Sequence, residues 1–255
     1  MRFDAVIIIG PCRSGTTFVF NALASPSYTG LFQPIKHGIR SALAAEPPKL
    51  SLKEFAGEPV VIKEAFGPYD LEEVTFDPIE KVLDTLKPRR PLLISVMRSP
   101  EQCLSSWQRS FFANGEGPVP EVFNGAYMNT VQLREKHHAW LESADLILDD
   151  AAGFPITLTR IQKSLGIEAI GPAYARSIKV RDPQAFEVSG LLNKAMSGRH
   201  YNRALAHMHP QADLGESFHP ARSSFEHLLR TAKPTISRAN LSSASKIDAL
   251  SLHAN

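Results

Sequence analysis

One short stretch constrains the fold more than any other. Val6-Ile-Ile-Ile9 is a run of β-branched residues of the kind buried in a parallel sheet. Gly10-Pro11 breaks it, and small residues follow in Cys12-Arg-Ser-Gly-Thr-Thr17. An amphipathic run, Phe18 to Leu23, comes next. The order strand, loop, helix turns several backbone N–H groups and the positive end of a helix toward one small volume. A phosphate or sulfate fits such a volume. Gly10, Gly15 and Thr17 match the spacing of a phosphate-binding loop, but Thr16 stands where its lysine belongs. The loop's cation is Arg13, two residues before Gly15, which suits an anion geometry different from that of a nucleoside triphosphatase.

A second anion signal follows another apolar run. Leu92 to Met97 reads as a strand, and Arg98-Ser99-Pro100 ends it. Leu104, Trp107 and Phe111 then recur at helical spacing, with Ser106 about two turns into that helix. In open α/β sheets, ligands bind at the carboxyl ends of strands, where both signals fall. Arg98 supplies a planar fork of donors and Ser106 a short hydroxyl.

The stretch Pro11-Cys-Arg-Ser-Gly-Thr-Thr17 resembles the 5'-phosphosulfate loop of sulfotransferases that use 3'-phosphoadenosine 5'-phosphosulfate (PAPS). Arg98-Ser-Pro with Ser106 resembles their 3'-phosphate motif. A third likeness joins Asp145-Leu-Ile-Leu-Asp-Asp150 to the segment Pro155 to Gly166. The resemblance covers residues 5 to about 170 and implies a three-layer α/β/α fold with a central, mainly parallel sheet, of the phosphate-binding-loop type. It implies PAPS as donor, no metal, and a hydroxyl or amine of a small molecule or carbohydrate as acceptor. Cys12, Arg13, Ser14, Gly15, Thr16, Thr17, Arg98 and Ser106 would bind the donor, with Arg199 as a late basic element. Arg13 would also stabilise the leaving nucleotide.

The general base is expected at Glu64, at the end of the strand Val60 to Lys63, with Lys63 beside it holding the sulfuryl group or the acceptor. Relatives with an Arg-Ser-Gly loop frequently carry an acid where this chain has Gln33, so His37 is the alternative base. A phosphate-binding-loop kinase or nucleoside triphosphatase is the rival reading, resting on Asp149 as a Mg²⁺ ligand at a strand end. A nucleotide-binding module without catalysis is a third reading, supported by Gln33.

The chain has 255 residues, 43% of them hydrophobic, which suits one α/β domain, expected over 1–235, and a tail over 236–255. Net charge of +2 argues against a nucleic-acid partner. Cys12 and Cys103 form no disulfide or metal spacing and are expected to stay reduced. No leader pattern and no apolar run of roughly 20 residues is visible, so a soluble, cytoplasmic protein without membrane partners is expected. The histidines at 200, 207, 209, 219 and 227 fit no metal motif. Acceptor recognition is expected in segments 27–50, 113–130 and 185–230.

Overall fold

The computed structural model describes residues 3–23, 27–48, 50–112, 115, 117–150, 152–167, 180–181 and 214–232. A helix expected from the sequence over Ala185 to Ala195, Arg199, three of the five C-terminal histidines and the expected tail lie outside the described residues.

Strands β1 (Ala5–Pro11), β2 (Thr29–Phe32), β3 (Val60–Phe66), β4 (Pro91–Met97), β5 (Glu142–Ile147) and β6 (Val180–Arg181) form one sheet in the order β5-β4-β1-β3-β2-β6. Every pairing is parallel. Helices α1 (Thr16–Leu23), α2 (Pro34–Leu43), α3 (Glu72–Thr75), α4 (Pro78–Leu86), α5 (Pro100–Phe111), α6 (Pro120–His138), α7 (Gly153–Ser164) and α8 (His219–Thr231) connect and flank the strands. The three-layer α/β/α arrangement expected from the sequence is the one observed. Successive strand residues point to opposite faces, so the sheet divides the core in two. Ala5, Ile7 and Ile9 pack with Val82 of α4, Trp107 of α5, Phe123 of α6 and Leu228 of α8. Val6 and Ile8 pack with Val19 and Phe20 of α1 and Phe154 and Ile161 of α7. β1 is buried along its whole length, as an unbroken apolar strand requires.

Local chemistry explains where the elements begin and end. β1 runs past Ile9 through Gly10-Pro11, which the sequence marks as a turn. A Cβ on Gly10 would lie 2.2 Å from the Val96 carbonyl oxygen, so glycine lets the strand stay close to β4. The ladder with β4 has stopped by Ile9, so the missing N–H of Pro11 costs no pairing there. The sequence predicts a long helix over Tyr127 to Leu141, and α6 starts seven residues earlier, at Pro120. Gly125 lies inside it because Val74 of α3 packs there, with Cγ2 2.8 Å from where a Cβ would sit. Asp77 caps α4, accepting from the Ile79 and Glu80 amides, with Pro78 at the first helical position.

A buried ion pair lies inside the larger layer. Arg134 on α6 pairs with Asp145 on β5 at 2.9 Å, and the same Nη2 donates to the Thr231 carbonyl at the end of α8. One buried cation therefore neutralises a sheet carboxylate and closes a helix C-terminus. No described helix is long and apolar enough to cross a membrane.

Candidate functional site

β1 is the topological switch point. Chain leaving β1 reaches β2 on one side, past β3, whereas β3 is followed by β4 on the other side of β1. The loop leaving β1 therefore opens into the crevice where such sheets bind ligands. That loop is Cys12 to Gly15, and α1 begins at Thr16. The Ser14 amide donates to the Pro11 carbonyl at 3.1 Å, closing a tight turn. Arg13 has φ 69° and Gly15 φ 101°, so both lie in the left-handed region. Glycine takes this conformation freely; arginine requires support from its surroundings. Ser14 and Thr16 are buried, and Thr17 is half-buried.

The two motifs separated in sequence meet here. Arg13 Nε donates to Ser106 Oγ at 2.8 Å. In the next position Trp107, fully buried, donates its indole N–H to the Cys12 carbonyl at 2.7 Å. Helix α5 makes this possible by its course along the carboxyl rim. At its start Asp149, beyond β5, accepts from the Ser99 amide and lies 3.9 Å from Arg98 at the exit of β4. Its middle touches the exit of β1. Beyond β3, Gly67 packs against the Trp107 ring, and Tyr69 meets Phe111 and Phe112. Along its length α5 thus meets the ends of β5, β4, β1 and β3 in their order in the sheet.

Charge at this rim is largely cationic. Burial lowers the Arg13 pKa from its ordinary value; the Cys12 and Cys103 thiols oppose this, and the neighbouring Arg98 and Arg109 charges add to it. Arg98 Nη2 holds Gln102 at 3.2 Å, and Arg109 holds Ser105 at 2.8 Å. Burial raises the Asp149 pKa against the Ser99 amide and the Arg98 charge. Among the described residues, two buried polar atoms at the rim have no hydrogen-bond partner: Ser14 Oγ in the first motif and Arg98 Nε in the second. Ser14 Oγ thus has a hydrogen bond left to make, whereas Arg98 Nε, without a hydrogen bond, faces the Asp149 carboxylate at 3.9 Å.

The expected base is placed differently. β3 continues to Phe66, so Glu64 lies within the strand, fully buried, and not at its end. Its carboxylate accepts from the Ile35 amide at 2.7 Å and the Lys36 amide at 3.3 Å, holding the N-terminus of α2. Burial pushes its pKa up to about 7, with the two amides and then Lys63 and Lys36 opposing. Lys63 and Glu64 do not act side by side. Glu64 follows the direction of Ile62, toward the larger layer, whereas Lys63 lies over the Phe32 ring at 4.1 Å and donates to Gln33 at 2.6 Å. The reason is the pleat, which sends adjacent strand residues to opposite faces. His37 is buried on α2.

Sequence reasoning passed over Lys36. It is 1% exposed, and its ammonium donates to the Ala65 and Gly67 carbonyls, lies 3.5 Å from Cys12 Sγ and pairs with Glu73 at 3.5 Å. Glu73 also pairs with Arg40, whose guanidinium lies over Tyr69 at 5.5 Å. Lys36 thereby ties α2, β3 and the anion loop together. No local pattern marks it, because a lysine beside a histidine reads as an exposed helix face.

The acidic run after β5 divides into separate tasks. Asp145 pairs with Arg134, Asp149 holds the 98–99 turn, and Asp150 accepts from the Gly153 amide at the start of α7. Neither known protein families nor curated proteins gave a match to this sequence.

Proposed function

We propose that this protein transfers a sulfuryl group from PAPS to a hydroxyl or amine of a small-molecule or carbohydrate acceptor. The observation that carries the reading is the Arg13–Ser106 contact at 2.8 Å, which joins the 5'-type loop to the 3'-type motif. A donor with anions at both ends of one adenosine requires two cationic subsites that face one crevice. Arg13 and the loop amides would receive the phosphosulfate end, and Arg98 the 3'-phosphate. Ser14 Oγ would supply one further polar contact.

Transfer forms a bond from the acceptor oxygen or nitrogen to sulfur as the bond from sulfur to the phosphate oxygen breaks, and the proton the acceptor loses passes to solvent water. The pair of electrons and the added charge leave with the nucleotide phosphate. In this reading Arg13 would meet that charge as it develops, and its burial would strengthen the interaction. The reading does not route the acceptor's proton through Glu64, whose oxygens accept from the Ile35 and Lys36 amides.

The kinase reading is less well supported. Asp149 is engaged by Ser99 and Arg98, and it follows β5, two strands away from β1. Titration calorimetry separates the two. Binding of 3'-phosphoadenosine 5'-phosphate (PAP) without Mg²⁺ supports the proposal, and binding of ATP with Mg²⁺ but not PAP overturns it. Transfer of labelled sulfate from PAPS to a panel of alcohols, phenols and amines then distinguishes an enzyme from a binding module.

A further inference from the structure

We infer that Trp107 is a positioning residue: its indole N–H sets the peptide plane that aims the Arg13 amide into the anion loop. The ligand named for that loop rests on the donor reading above; the device itself does not. The turn Pro11 to Ser14 closes with the Ser14 amide on the Pro11 carbonyl. Its third residue, Arg13, has φ 69°, while Cys12 is not among the residues with positive φ. That is the pattern of a type II turn, which favours glycine or asparagine at the third position. An arginine there favours the type I alternative, with negative φ. The two turns differ by a flip of the central peptide, the one between Cys12 and Arg13.

Trp107 grips that peptide by its carbonyl, at 2.7 Å. Across a trans peptide the C=O and N–H point in opposite directions. Holding the Cys12 carbonyl against α5 therefore turns the Arg13 amide away from α5, to the side where the loop would receive an anion. The flipped peptide would present a carbonyl oxygen where an anion binds. The clamp is itself rigid. Trp107 is fully buried, and its ring lies edge-on to Phe123 at 5.0 Å. A Cβ on Gly67 would come within 2.4 Å of it. The preceding peptide is held separately, by the Cys12 amide on the Phe66 carbonyl at 2.9 Å. Only the central plane depends on Trp107. Ser106, the preceding residue, steadies the Arg13 side chain, so one turn of α5 orients both its backbone and its guanidinium.

The test replaces Trp107 with β-(3-benzothienyl)alanine, which keeps the bicyclic shape and lacks the N–H; Trp107→Phe is the encoded counterpart. Pyrophosphate and PAP are titrated into the parent and both variants, with Tm and the Arg13 amide ¹⁵N shift followed throughout. The inference expects affinity for both probes to fall about tenfold, the worth of one hydrogen bond. It also expects the pyrophosphate-induced shift of the Arg13 amide to be lost while the isostere's Tm stays near the parent's. A lowered Tm with unchanged affinity and amide shift would make Trp107 a packing residue only and overturn the inference. If the parent binds pyrophosphate but not PAP, the donor reading fails and the pyrophosphate results still decide the role of Trp107. If the parent binds neither, both fail.

Discussion

Arg13, Arg98 and Ser106 are legible from their neighbours in sequence because each follows a run that must be a buried strand. Position after such a strand puts a side chain on the carboxyl rim. Arg13→Ala and Arg98→Ala are each expected to weaken PAP binding by about ten- to a hundredfold, the loss of one charge-assisted contact. Calorimetry reads this directly, and unchanged affinity in both variants would remove the site assignment. Glu64 was misplaced because the polar pair Lys63-Glu64 looks like the end of a strand. It is an interior pair, each member satisfied on its own face. Its titration gives a signed prediction. The folded carboxyl holds its proton up to about 7, above an ordinary value of 4.5. Between these values the folded protein binds the proton that the unfolded chain has released. Its contribution is fully present below the lower value and is lost as pH rises through the upper one, by about 3 kcal/mol at most. Urea unfolding at intervals across that window should show this decline in the parent and not in Glu64→Gln, with PAP affinity unaltered by the substitution.

Among the elements, α5 does what no periodicity could announce. Leu104, Trp107 and Phe111 mark an apolar face, but a helix after a parallel strand ordinarily returns along the sheet. Here it crosses the rim, and the reasons are contacts distant in sequence, with Asp149, Cys12 and Gly67. Asp149→Asn is expected to loosen the 98–99 turn and lower PAP affinity severalfold, about 1 kcal/mol, without creating or abolishing any dependence on Mg²⁺. A complete loss of nucleotide binding that Mg²⁺ had supported would instead favour the kinase reading. α2 depends on a similar long-range tie. Lys36→Met leaves Glu73 to Arg40 and the Tyr69 amide and removes donors from two carbonyls, so it should destabilise the fold by about 3 kcal/mol in chemical denaturation. The beginning of α6 was legible too late in the chain because Gly125 reads as a breaker, whereas in the fold it admits Val74.

Taken as one molecule, the proposed site joins elements drawn from residues 10 to 150, so a ligand that bridges them should stabilise the whole fold. At a PAP concentration of about a hundred times Kd, linkage gives about 2.7 kcal/mol. For a chain of this size that is a rise in Tm of about 5–10 °C. Differential scanning fluorimetry with PAP, with adenosine and with ATP plus Mg²⁺ checks it, and equal shifts for PAP and adenosine would remove the anion subsites from the account. Alternating apolar runs and breakers were enough to establish a parallel α/β sheet, the loop after β1 and the arginine after β4, because burial of whole strands and the short reach of a βα turn are properties of neighbouring residues. Which side of the sheet Lys63 and Glu64 face, the burial of Lys36 against Glu73, and the meeting of Arg13 with Ser106 and of Cys12 with Trp107 were decided only when the chain packed. Each depends on groups tens of residues apart, brought together by the strand order and by the course of α5, and local pattern carries no information about such distances.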